Sequence, residues 1–431
     1  MRRIIAPDTV WVVSRRIVTL ATMQSIDVFV IGGGPAGSAA ALKLARAGRA
    51  VALAERSRYE QSRIGETLPP VARLTLASLG LWERFERQGH APSYAIRSAW
   101  GRPQLYEQDF GFHPYGSGWH VDRRLFDAML AEAAEDAGAT ICRGSRVTEI
   151  TREADVEWRI RLEDQDGHRQ FRASLVVDAT GRVASFARRR GAIRRAHDAL
   201  IGVVVFLAPV SSRVKPEFYT LVEATETGWW YSALLPGRRL VAVYMTDADL
   251  LPRGRRQFPA FWQTQLERAD HTRARLRSFK PASAPRVVVA NSSRLDSVTG
   301  VGWLAVGDAA LAFDPLSAQG VLQALASGAR AGQALDRCLA GDAHALGRYA
   351  VDSEASFSEY GRLYENYYSR EQRWPHSLFW RRRNASRSQE HVQDRSQHIH
   401  GFRSFSRWGA DLGEPHDSVL SGKEELVNPL E

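Results

Sequence analysis

The chain has 431 residues, of which 44% are hydrophobic and 25% are charged, and its formal net charge is +10. This length and composition predict a globular protein with two or three structural units and exclude a disordered or fibrous chain. The positive charge is scattered and accompanies no nucleic-acid-binding motif, so we expect a basic solvated surface and no nucleic-acid partner.

Residues 1–22 contain only short apolar runs, which Pro7 and Asp8 interrupt. The stretch has neither the apolar core of a signal peptide nor the length of a membrane span, and no later window is a membrane candidate. Since Met23 directly precedes the first predicted strand, we interpret residues 1–22 as an N-terminal extension and Met23 as an alternative start. The two cysteines are too few and too distant for a disulfide framework or a metal site, which favours a reducing cytoplasm.

The stretch 26–37 changes from an apolar run to glycines and then to an alanine-rich helix. Gly32, Gly34 and Gly37 form the pattern G-x-G-x-x-G, in which glycines let a pyrophosphate approach the backbone at a helix N-terminus. A second strand ends in Glu55, about 20 residues beyond the glycines, where a carboxylate can accept hydrogen bonds from an adenosine ribose. The pattern predicts a bound dinucleotide.

Two interpretations stay open for each of the next stretches. Residues 63–70 read Arg-Ile-Gly-Glu-Thr-Leu-Pro-Pro, which is either a surface loop or a segment that lines the cofactor, and an amphipathic helix follows it to Gly80. The stretch 94–119 is rich in aromatic residues and carries His113, with His120 just beyond. Its rings belong either to the core or to a substrate-binding shelf.

A helix that opens within 121–127 and ends at Ala137 is followed by three predicted strands. These strands are 140–150, 156–162 and 171–178, and the last two are joined by a hairpin turn at Asp166 and Gly167. The third strand leads into Asp-Ala-Thr-Gly at 178–181, which is either backbone approaching a cofactor or an ordinary turn.

Residues 200–247 predict an antiparallel sheet with one covered face, made of strands 201–207, 217–224, 228–235 and 240–246. Adjacent residues of a strand point to opposite faces, so Trp229 and Tyr231 can face one pocket together, or Trp230 alone. With a helix around 258–269, we interpret this region as a substrate-binding domain inserted into the nucleotide-binding domain.

The nucleotide-binding domain is expected to resume at 286–290 and to reach a strand that ends in Gly307 and Asp308. The run Asp-Pro-Leu-Ser-Ala-Gln-Gly at 314–320 then opens a helix that ends at Cys338. An acidic strand end suits a polyol chain, and a helix start presents unpaired N–H groups and a positive dipole end to an anion. Reduced flavin carries negative charge, so these features favour a flavin over a nicotinamide.

The chain resembles the FAD-dependent monooxygenase superfamily, which includes p-hydroxybenzoate hydroxylase, flavin-dependent tryptophan halogenases and geranylgeranyl reductases. The resemblance covers residues 24–345 and rests on the glycine motif with Glu55, V-D-R-x-x-F-D at 121–127, D-A-T-G at 178–181, and G-D-A-A with D-P-L-S-x-Q-G at 307–320. It implies an α/β fold with a Rossmann-like FAD-binding domain of the glutathione-reductase type, an inserted antiparallel-sheet substrate domain and a C-terminal helical segment.

The resemblance also implies roles for particular residues. Glu55 would hold the adenosine ribose, Arg123 would contact the FAD phosphates, and Asp308 the ribityl chain and pyrophosphate. The backbone of 315–320 would contact the isoalloxazine. The predicted cofactor-binding residues are Gly32, Gly34, Pro35, Ala36, Gly37, Glu55, Arg56, Arg63, Arg123, Asp308, Pro315, Ser317, Gln319 and Gly320.

Two elements, Gly-Glu-Thr-Leu-Pro at 65–69 and Gly-Trp-Trp-Tyr-Ser-Ala at 228–233, resemble the branch nearest the halogenases. The halogenase signature is G-W-x-W-x-I-P, and here Tyr231 stands at its fourth position. Halogenases also need a lysine, whereas the comparable stretch 93–101 contains Arg97 and no lysine. The elements are similar to those of the monooxygenases that mature tryptophylquinone cofactors, the accessory enzymes of quinohaemoprotein amine dehydrogenase and lysine ε-oxidase.

The resemblance therefore implies hydroxylation of tryptophan, within a partner polypeptide. NAD(P)H would reduce FAD, O2 would form a flavin C4a-hydroperoxide, and the indole ring would attack it in a site that excludes water. Trp229 and Tyr231 are the predicted substrate pocket. Glu66, His113 and His120 are candidates for proton transfer, and ordinary hydrogen-bonded polar residues are the alternative. Because a second dinucleotide motif is missing, NAD(P)H would bind transiently or a separate reductase would supply electrons.

The predicted domain division follows from these assignments. Residues 1–22 are the extension, 23–85, 120–198 and 286–345 the FAD-binding domain, 86–119 and 199–285 the substrate domain, and 346–431 the C-terminal region. Aromatic residues and arginines between 364 and 383 either dock a protein substrate or cap the substrate domain, and beyond Gly409 the composition predicts disorder.

Two other functions stay open. A small-molecule aromatic hydroxylase or halogenase would have a closed pocket and act on free phenols or indoles. A flavin-dependent reductase of isoprenoid double bonds would have a long apolar tunnel and no need for O2.

Overall fold

The computed structural model describes residues 23–153, 157–165 and 167–384. The strands are β1 Gln24–Ile31, β2 Val51–Glu55, β3 Thr67–Leu68, β4 Ala91–Ser93, β5 Ala95–Ala99, β6 Tyr106–Asp109, β7 Gly118–His120, β8 Thr140–Arg143, β9 Arg146–Glu153, β10 Glu157–Asp164, β11 Gly167–Asp178, β12 Arg194–Ala196, β13 Leu200–Pro209, β14 Tyr219–Thr225, β15 Gly228–Leu234, β16 Leu240–Asp247, β17 Phe279–Pro281, β18 Arg286–Val289, β19 Ser293–Leu295, β20 Thr299–Gly300, β21 Trp303–Ala305 and β22 Leu311–Ala312. The helices are α1 Pro35–Arg46, α2 Ala72–Ser78, α3 Trp82–Glu86, α4 Arg123–Asp136, α5 Ser185–Arg189, α6 Phe258–Glu267, α7 Asp270–Leu276, α8 Gly320–Leu339, α9 Ala345–Tyr368 and α10 Leu378–Asn384.

Five parallel strands in the order β21-β11-β1-β2-β8 form the centre of the first sheet. The central strand β1 is an almost continuous buried apolar run, as expected of a parallel strand that is covered on both faces. Parallel strands end at the same edge of a sheet, and Ile31 is paired with both Ala54 and Asp178. The glycine motif, Glu55 and the D-A-T-G turn therefore gather at one edge, and the predicted α/β fold with a Rossmann-like domain is confirmed.

The meander beside this sheet differs from the predicted strands in one respect. The expected single strand 140–150 is two strands, β8 and β9, because the chain turns at Gly144, whose φ is +68°. The hairpin between β10 and β11 is confirmed by the antiparallel pairing of Asp164 with Gly167, and residue 166 lies outside the described residues.

Helices α1 and α8 pack closely because glycines of α8 face α1. A Cβ at Gly328 would lie 2.1 Å from the carbonyl oxygen of Ala36, and a Cβ at Gly332 would lie 2.7 Å from Cβ of Lys43. Distances this short exclude a larger residue unless the helices separate. The packing holds the N-terminal ends of both helices in the FAD-binding domain.

The second large sheet has the order β17-β13-β16-β15-β14-β5-β6, with β18 also paired to β13. Most of its pairs are antiparallel as predicted, but β5 joins β14 in parallel, so the sheet is mixed. The expectation that the nucleotide-binding domain resumes at residue 286 is wrong, because the strand that begins there, β18, belongs to this second sheet. A short valine run does not reveal which strand it pairs with.

The two faces of this sheet bury different aromatic groups, as the alternation in β15 predicts. Trp230 packs at 5.2 Å from Trp262 of α6 and at 5.1 Å from Tyr244. Trp229 lies on the other face and belongs to a cluster with Tyr368 of α9.

The C-terminal helices cover this second face. Tyr368, Phe379 and Trp380 are fully buried there, and the Trp380 indole donates to the Thr225 carbonyl at 2.9 Å. These three rings are enclosed, so the C-terminal helices form a cap on the second sheet. Tyr364, Tyr367 and Trp374 are only partly buried and the nearby Arg370 and Arg381 are exposed, so docking of a protein substrate stays a prediction. The extension 1–22 and the histidine-rich tail beyond residue 384 lie outside the described residues. Across the described ranges, no helix has both the length and the apolarity of a membrane span.

Candidate active site

The glycine turn after β1 fits tightly against the rest of the FAD-binding domain on one side and is open on the other. A Cβ at Gly32, whose φ is +108°, would lie 2.3 Å from the Ala179 carbonyl oxygen, and one at Gly37 would lie 2.0 Å from the Gly32 carbonyl oxygen. A Cβ at Gly34 would meet nothing within 4 Å. Gly34 precedes the first turn of α1, which has no side-chain cap, so open space and unpaired N–H groups coincide where a pyrophosphate is expected.

The carboxylate of Glu55 is held in place by protein donors. Its Oε2 accepts from the Gly33 N–H at 2.8 Å, and its Oε1 accepts from Ser57 Oγ at 2.7 Å and from Arg63 at 3.0 Å. Burial alone would raise the pKa of Glu55, but the hydrogen bonds from Ser57 and Gly33 and the charge of Arg63 outweigh it and lower the pKa. Glu55 is therefore ionised and fixed at the end of β2, beside the exposed Arg56.

Arg123, predicted to contact the FAD phosphates, is mostly engaged by the protein itself. Its guanidinium forms a two-pronged pair with the buried Asp127 at 2.9 and 3.0 Å, and its Nη1 donates to the carbonyls of Ile64 and Gly65. Arg63 also approaches Asp127, at 3.5 Å. The geometry makes Arg123 a brace for the loop that precedes Glu66, and its contact with the FAD phosphates stays a prediction.

The Gly-Asp turn after β21 lies against the start of α1. A Cβ at Gly307, whose φ is +56°, would lie 2.7 Å from Cβ of Ala36. The Asp308 carboxylate is partly exposed and 3.3 Å from Arg182. The turn thus places an accessible acid beside the glycine motif, as the resemblance implies for the ribityl and pyrophosphate region.

The segment 315–320 forms a turn that leads into α8 and is partly exposed along its length. A Cβ at Gly320 would meet nothing within 4 Å. Two long helices, α1 and α8, therefore begin with open glycine positions in one domain. An extended, anionic dinucleotide such as FAD fits this arrangement.

The structure brings together two predicted residues from distant parts of the chain, Glu66 and Tyr231. The Tyr231 hydroxyl donates to Glu66 Oε2 at 3.3 Å and shares a 2.8 Å hydrogen bond with Thr67 Oγ1. Glu66 is 3% exposed, and its Oε1 has no hydrogen-bond partner among the described residues. Burial raises the pKa of Glu66, and the charge of Arg123 is a partial counterweight.

The two predicted histidines are placed differently. His120 is fully buried, and its ring nitrogens bond to the Leu234 carbonyl at 3.0 Å and to Thr220 Oγ1 at 2.8 Å. Burial lowers its pKa to about 3. With both nitrogens occupied, His120 is a core histidine in this structure, contrary to the expectation of proton transfer. The second, His113, lies in a surface loop, where its Nδ1 accepts from the Tyr115 N–H at 3.2 Å.

Trp229 also departs from the expectation of a substrate-pocket residue. It is fully buried, its indole donates to the Tyr368 hydroxyl at 3.1 Å, and its ring packs against Trp100. Tyr231, two residues on, is only partly buried, and its role in the substrate pocket stays a prediction.

Among the residues of the site that carried no assigned role in the sequence are Tyr59 and Asp314. Tyr59 donates to the Gly33 carbonyl at 2.9 Å, and nothing in its sequence neighbourhood signals this contact. Asp314 begins the D-P-L-S-x-Q-G element, but its burial and its bond to Tyr368 at 2.7 Å appear only in the folded chain. A carboxyl that directly precedes a cofactor-binding turn is the one signal that could have singled it out.

Comparison with known proteins identifies the family of this chain. Residues 25–355 match the FAD binding domain family, so the chain belongs to that family and is a flavin-dependent enzyme. The chain is 30% identical over 375 residues to the putative FAD-dependent oxidoreductase LodB of Marinomonas mediterranea. The alignment covers 86% of this chain and 100% of LodB.

Solved structures share the fold. The myxobacterial chondrochloren halogenase CndH superposes with a TM-score of 0.75 at 24% identity, over 84% of this chain and 86% of CndH. The peptidyl tryptophan dihydroxylase QhpG, which is essential for tryptophylquinone cofactor biogenesis, superposes with a TM-score of 0.72 at 24% identity, over 86% of this chain and 81% of QhpG.

Proposed function

We propose that this protein is an FAD-dependent monooxygenase that hydroxylates an indole ring, that of a tryptophan side chain in a partner polypeptide, during the biogenesis of a quinone cofactor. The likeness to LodB along almost the whole chain and the shared fold with QhpG support this proposal. NAD(P)H, used directly or through a reductase, is the proposed electron donor and O2 the proposed co-substrate.

The observation that carries the proposal over halogenation is the position of the lysines. Lys43, Lys215 and Lys280 are the lysines of the described residues, and they lie on α1, in the loop before β14 and on β17 at the margin of the second sheet. None of these elements contains Glu66 or Tyr231. A halogenase needs a lysine to handle hypohalous acid, and none of these three lysines lies on the elements that carry Glu66 and Tyr231.

Arg97 does not replace that lysine. Its guanidinium pairs with Glu107 on the neighbouring strand β6 and lies 4.1 Å from the ring of Tyr219. Two partners on the second sheet thus fix its orientation. The side chain is accordingly a structural element of the β5–β6 edge.

The chain's own residues would prepare the site as follows. When bound and reduced, FAD supplies the chemistry that transfers one oxygen atom from O2 to the aromatic ring. Glu66 would hold a proton at Oε1, the atom without a partner, and Tyr231 and Thr67 would fix the orientation of that carboxyl group. The apolar side chains beside Tyr231 on the second sheet would exclude water.

The test follows NADPH oxidation and product mass in parallel. We expect O2-dependent gain of one or two oxygen atoms on the tryptophan of an intact candidate partner protein, and less on a short blocked tryptophan peptide or on free tryptophan. Turnover of free indoles alone would support the small-molecule hydroxylase and contradict a polypeptide substrate. Oxygen-independent turnover would exclude every oxygenase function and favour the reductase alternative.

Halogenation is the second candidate, because the fold is shared with the halogenase CndH. Adding bromide to the same assay distinguishes it, since a brominated product has a characteristic isotope doublet. We expect no brominated product from the wild-type chain, and its appearance would replace the hydroxylase proposal.

A further inference from the structure

Asp314 is a buried carboxyl group that joins three parts of the fold. It directly precedes the turn 315–320, and its Oδ1 accepts from the Leu316 N–H at 2.8 Å within that turn. Its Oδ2 accepts from the Tyr368 hydroxyl of α9 at 2.7 Å, and that hydroxyl accepts from the Trp229 indole of β15 at 3.1 Å. A continuous chain of hydrogen bonds therefore runs from the second sheet, through the C-terminal helix, to the turn expected to contact the isoalloxazine.

The charges around Asp314 do not hold it ionised. Asp198, from the loop before β13, adds a second negative charge, and burial together with Asp198 raises the pKa of Asp314 to about 7. Arg383 of α10 is the nearby cation, but it pairs with Asp247 at 2.7 Å. The phenols of Tyr360, Tyr364 and Tyr368 on α9 also face this site. Arg182 donates to the neighbouring Phe313 carbonyl at 2.9 Å, and the adjacent cavity is lined by the charged or titratable residues His197, Asp247, Glu365 and Arg382.

Water can come close to this group through a cavity of about 360 Å³ between α9, α10 and the second sheet. Ser292 and Tyr360 line the cavity, and their hydroxyls are 2.6 Å apart. The Tyr360 hydroxyl in turn accepts from the Asp314 N–H at 3.0 Å. Asp198 also lines the cavity, so solvent protons reach the immediate neighbourhood of Asp314.

We propose that Asp314 is a positioning residue whose exchangeable proton sets the reduction potential of the bound flavin. It acts on the flavin through the turn 315–320, and Tyr368 links it to the C-terminal helix α9. The proposal rests on FAD binding, which the family shows, and not on the proposed substrate. A buried carboxylate beside this turn opposes the negative charge that a flavin gains on reduction, and the protonated form does not.

The experiment measures the midpoint potential of the bound flavin between pH 5.5 and 8.5, without any substrate. For the wild type we expect the potential to fall more steeply with pH around pH 7 than on either side. Asp314→Asn should lack this steeper decline of the potential around pH 7, which we call the step. Its potential should be higher than that of the wild type at pH 8.5 and equal to it at pH 5.5. Identical pH dependence in a flavin-loaded Asp314→Asn protein would overturn the proposal.

Tyr368→Phe provides the second variant, because it keeps the carboxyl group and removes the hydrogen bond that stabilises its ionised form. The step should move to higher pH, and an unmoved step would contradict the proposal even if Asp314→Asn did not fold. Tyr349→Phe is the matched control, since it removes a buried hydroxyl of the same helix that donates to the Ala305 carbonyl at 2.9 Å. A merely structural role for Tyr368 would lower the melting temperature and leave the step where it is.

Discussion

The Tyr231 hydroxyl donates to the Glu66 carboxyl group across 165 residues of sequence, and this 3.3 Å contact joins the second sheet to the loop before β3. Glu66 is buried with one oxygen unpaired, and Tyr231 is the partly buried ring beside it. In the proposed function, this contact orients the carboxyl group that would hold the proton.

Glu66→Gln is expected to lower the turnover number by about 100-fold, because the amide cannot exchange a proton at this position. FAD content and melting temperature should stay close to the wild type, since the shape is kept. Tyr231→Phe should lower the turnover number less than Glu66→Gln does, because the carboxyl group of Glu66 remains. Steady-state NADPH oxidation with product mass measures both effects, and Glu107→Gln on the exposed strand β6 is the control. A Glu66→Gln enzyme with wild-type turnover would remove Glu66 from the mechanism.

Gly34→Ala is expected to weaken FAD binding by at least about 10-fold while the apo-protein keeps its melting temperature. The new methyl group would meet no protein atom within 4 Å, so a loss can come only from a ligand that passes there. Gly347→Ala is the matched control, because its Cβ also meets nothing and it lies in α9, away from the glycine motif. Unchanged FAD affinity in Gly34→Ala, measured by fluorescence titration, would show that the pyrophosphate takes another path.

Asp127→Asn is expected to lower the free energy of unfolding by about 3 kcal/mol, because it leaves Arg123 with an uncompensated buried charge. The side chains of Asp127 and Arg123 are 1% and 10% exposed. The exposed pair of Arg97 and Glu107 serves as comparison, and Glu107→Gln should cost less than about 1 kcal/mol. Urea denaturation measures both, and equal losses would contradict the bracing role of the Arg123 pair.

His120→Gln should change how stability depends on pH. Burial lowers the pKa of His120 to about 3, whereas the unfolded chain binds this proton near pH 6.5. The unfolded state therefore binds more protons below pH 6.5, and the stability that His120 contributes is fully present above that pH and is lost as the pH falls toward 3.

Glutamine does not titrate, so the deficit of His120→Gln, about 2 kcal/mol at pH 7, should shrink between pH 6.5 and 4. Urea midpoints at several pH values measure this difference. The stability of His344→Gln, a substitution at an exposed histidine, should depend on pH in the same way as that of the wild type. A constant gap for His120→Gln would mean that the imidazole is not kept neutral by burial.

Local patterns predicted much of the FAD-binding domain. The glycine turn, the acid at the end of β2 and the start of α8 were each readable from neighbouring residues. The alternation that separates Trp230 from Trp229 and Tyr231 was also correct, because the side-chain period of a strand is a local property. These features need no knowledge of what packs against them.

Contacts between distant segments were not readable in this way. The parallel pairing of β5 with β14 and the addition of β18 to the second sheet depend on chain paths that a short apolar run does not specify. Sequence patterns also predicted His120 and Trp229 at the reaction site, whereas Thr220, Leu234 and Tyr368 occupy their polar atoms. Whether a polar side chain is free or engaged is decided by its neighbours in space.

By itself, the sequence determined that this chain binds a dinucleotide at the carboxyl edge of a parallel sheet, because glycine spacing and strand ends act within a few residues. The tertiary structure decided which acid keeps an unpaired oxygen and which aromatic rings are enclosed. Glu66 meets Tyr231, and Asp314 meets Tyr368, only when the second sheet and the C-terminal helices close over the FAD-binding domain. Burial and pairing of these groups are properties of that packing, and they set the charge states on which the proposed chemistry depends.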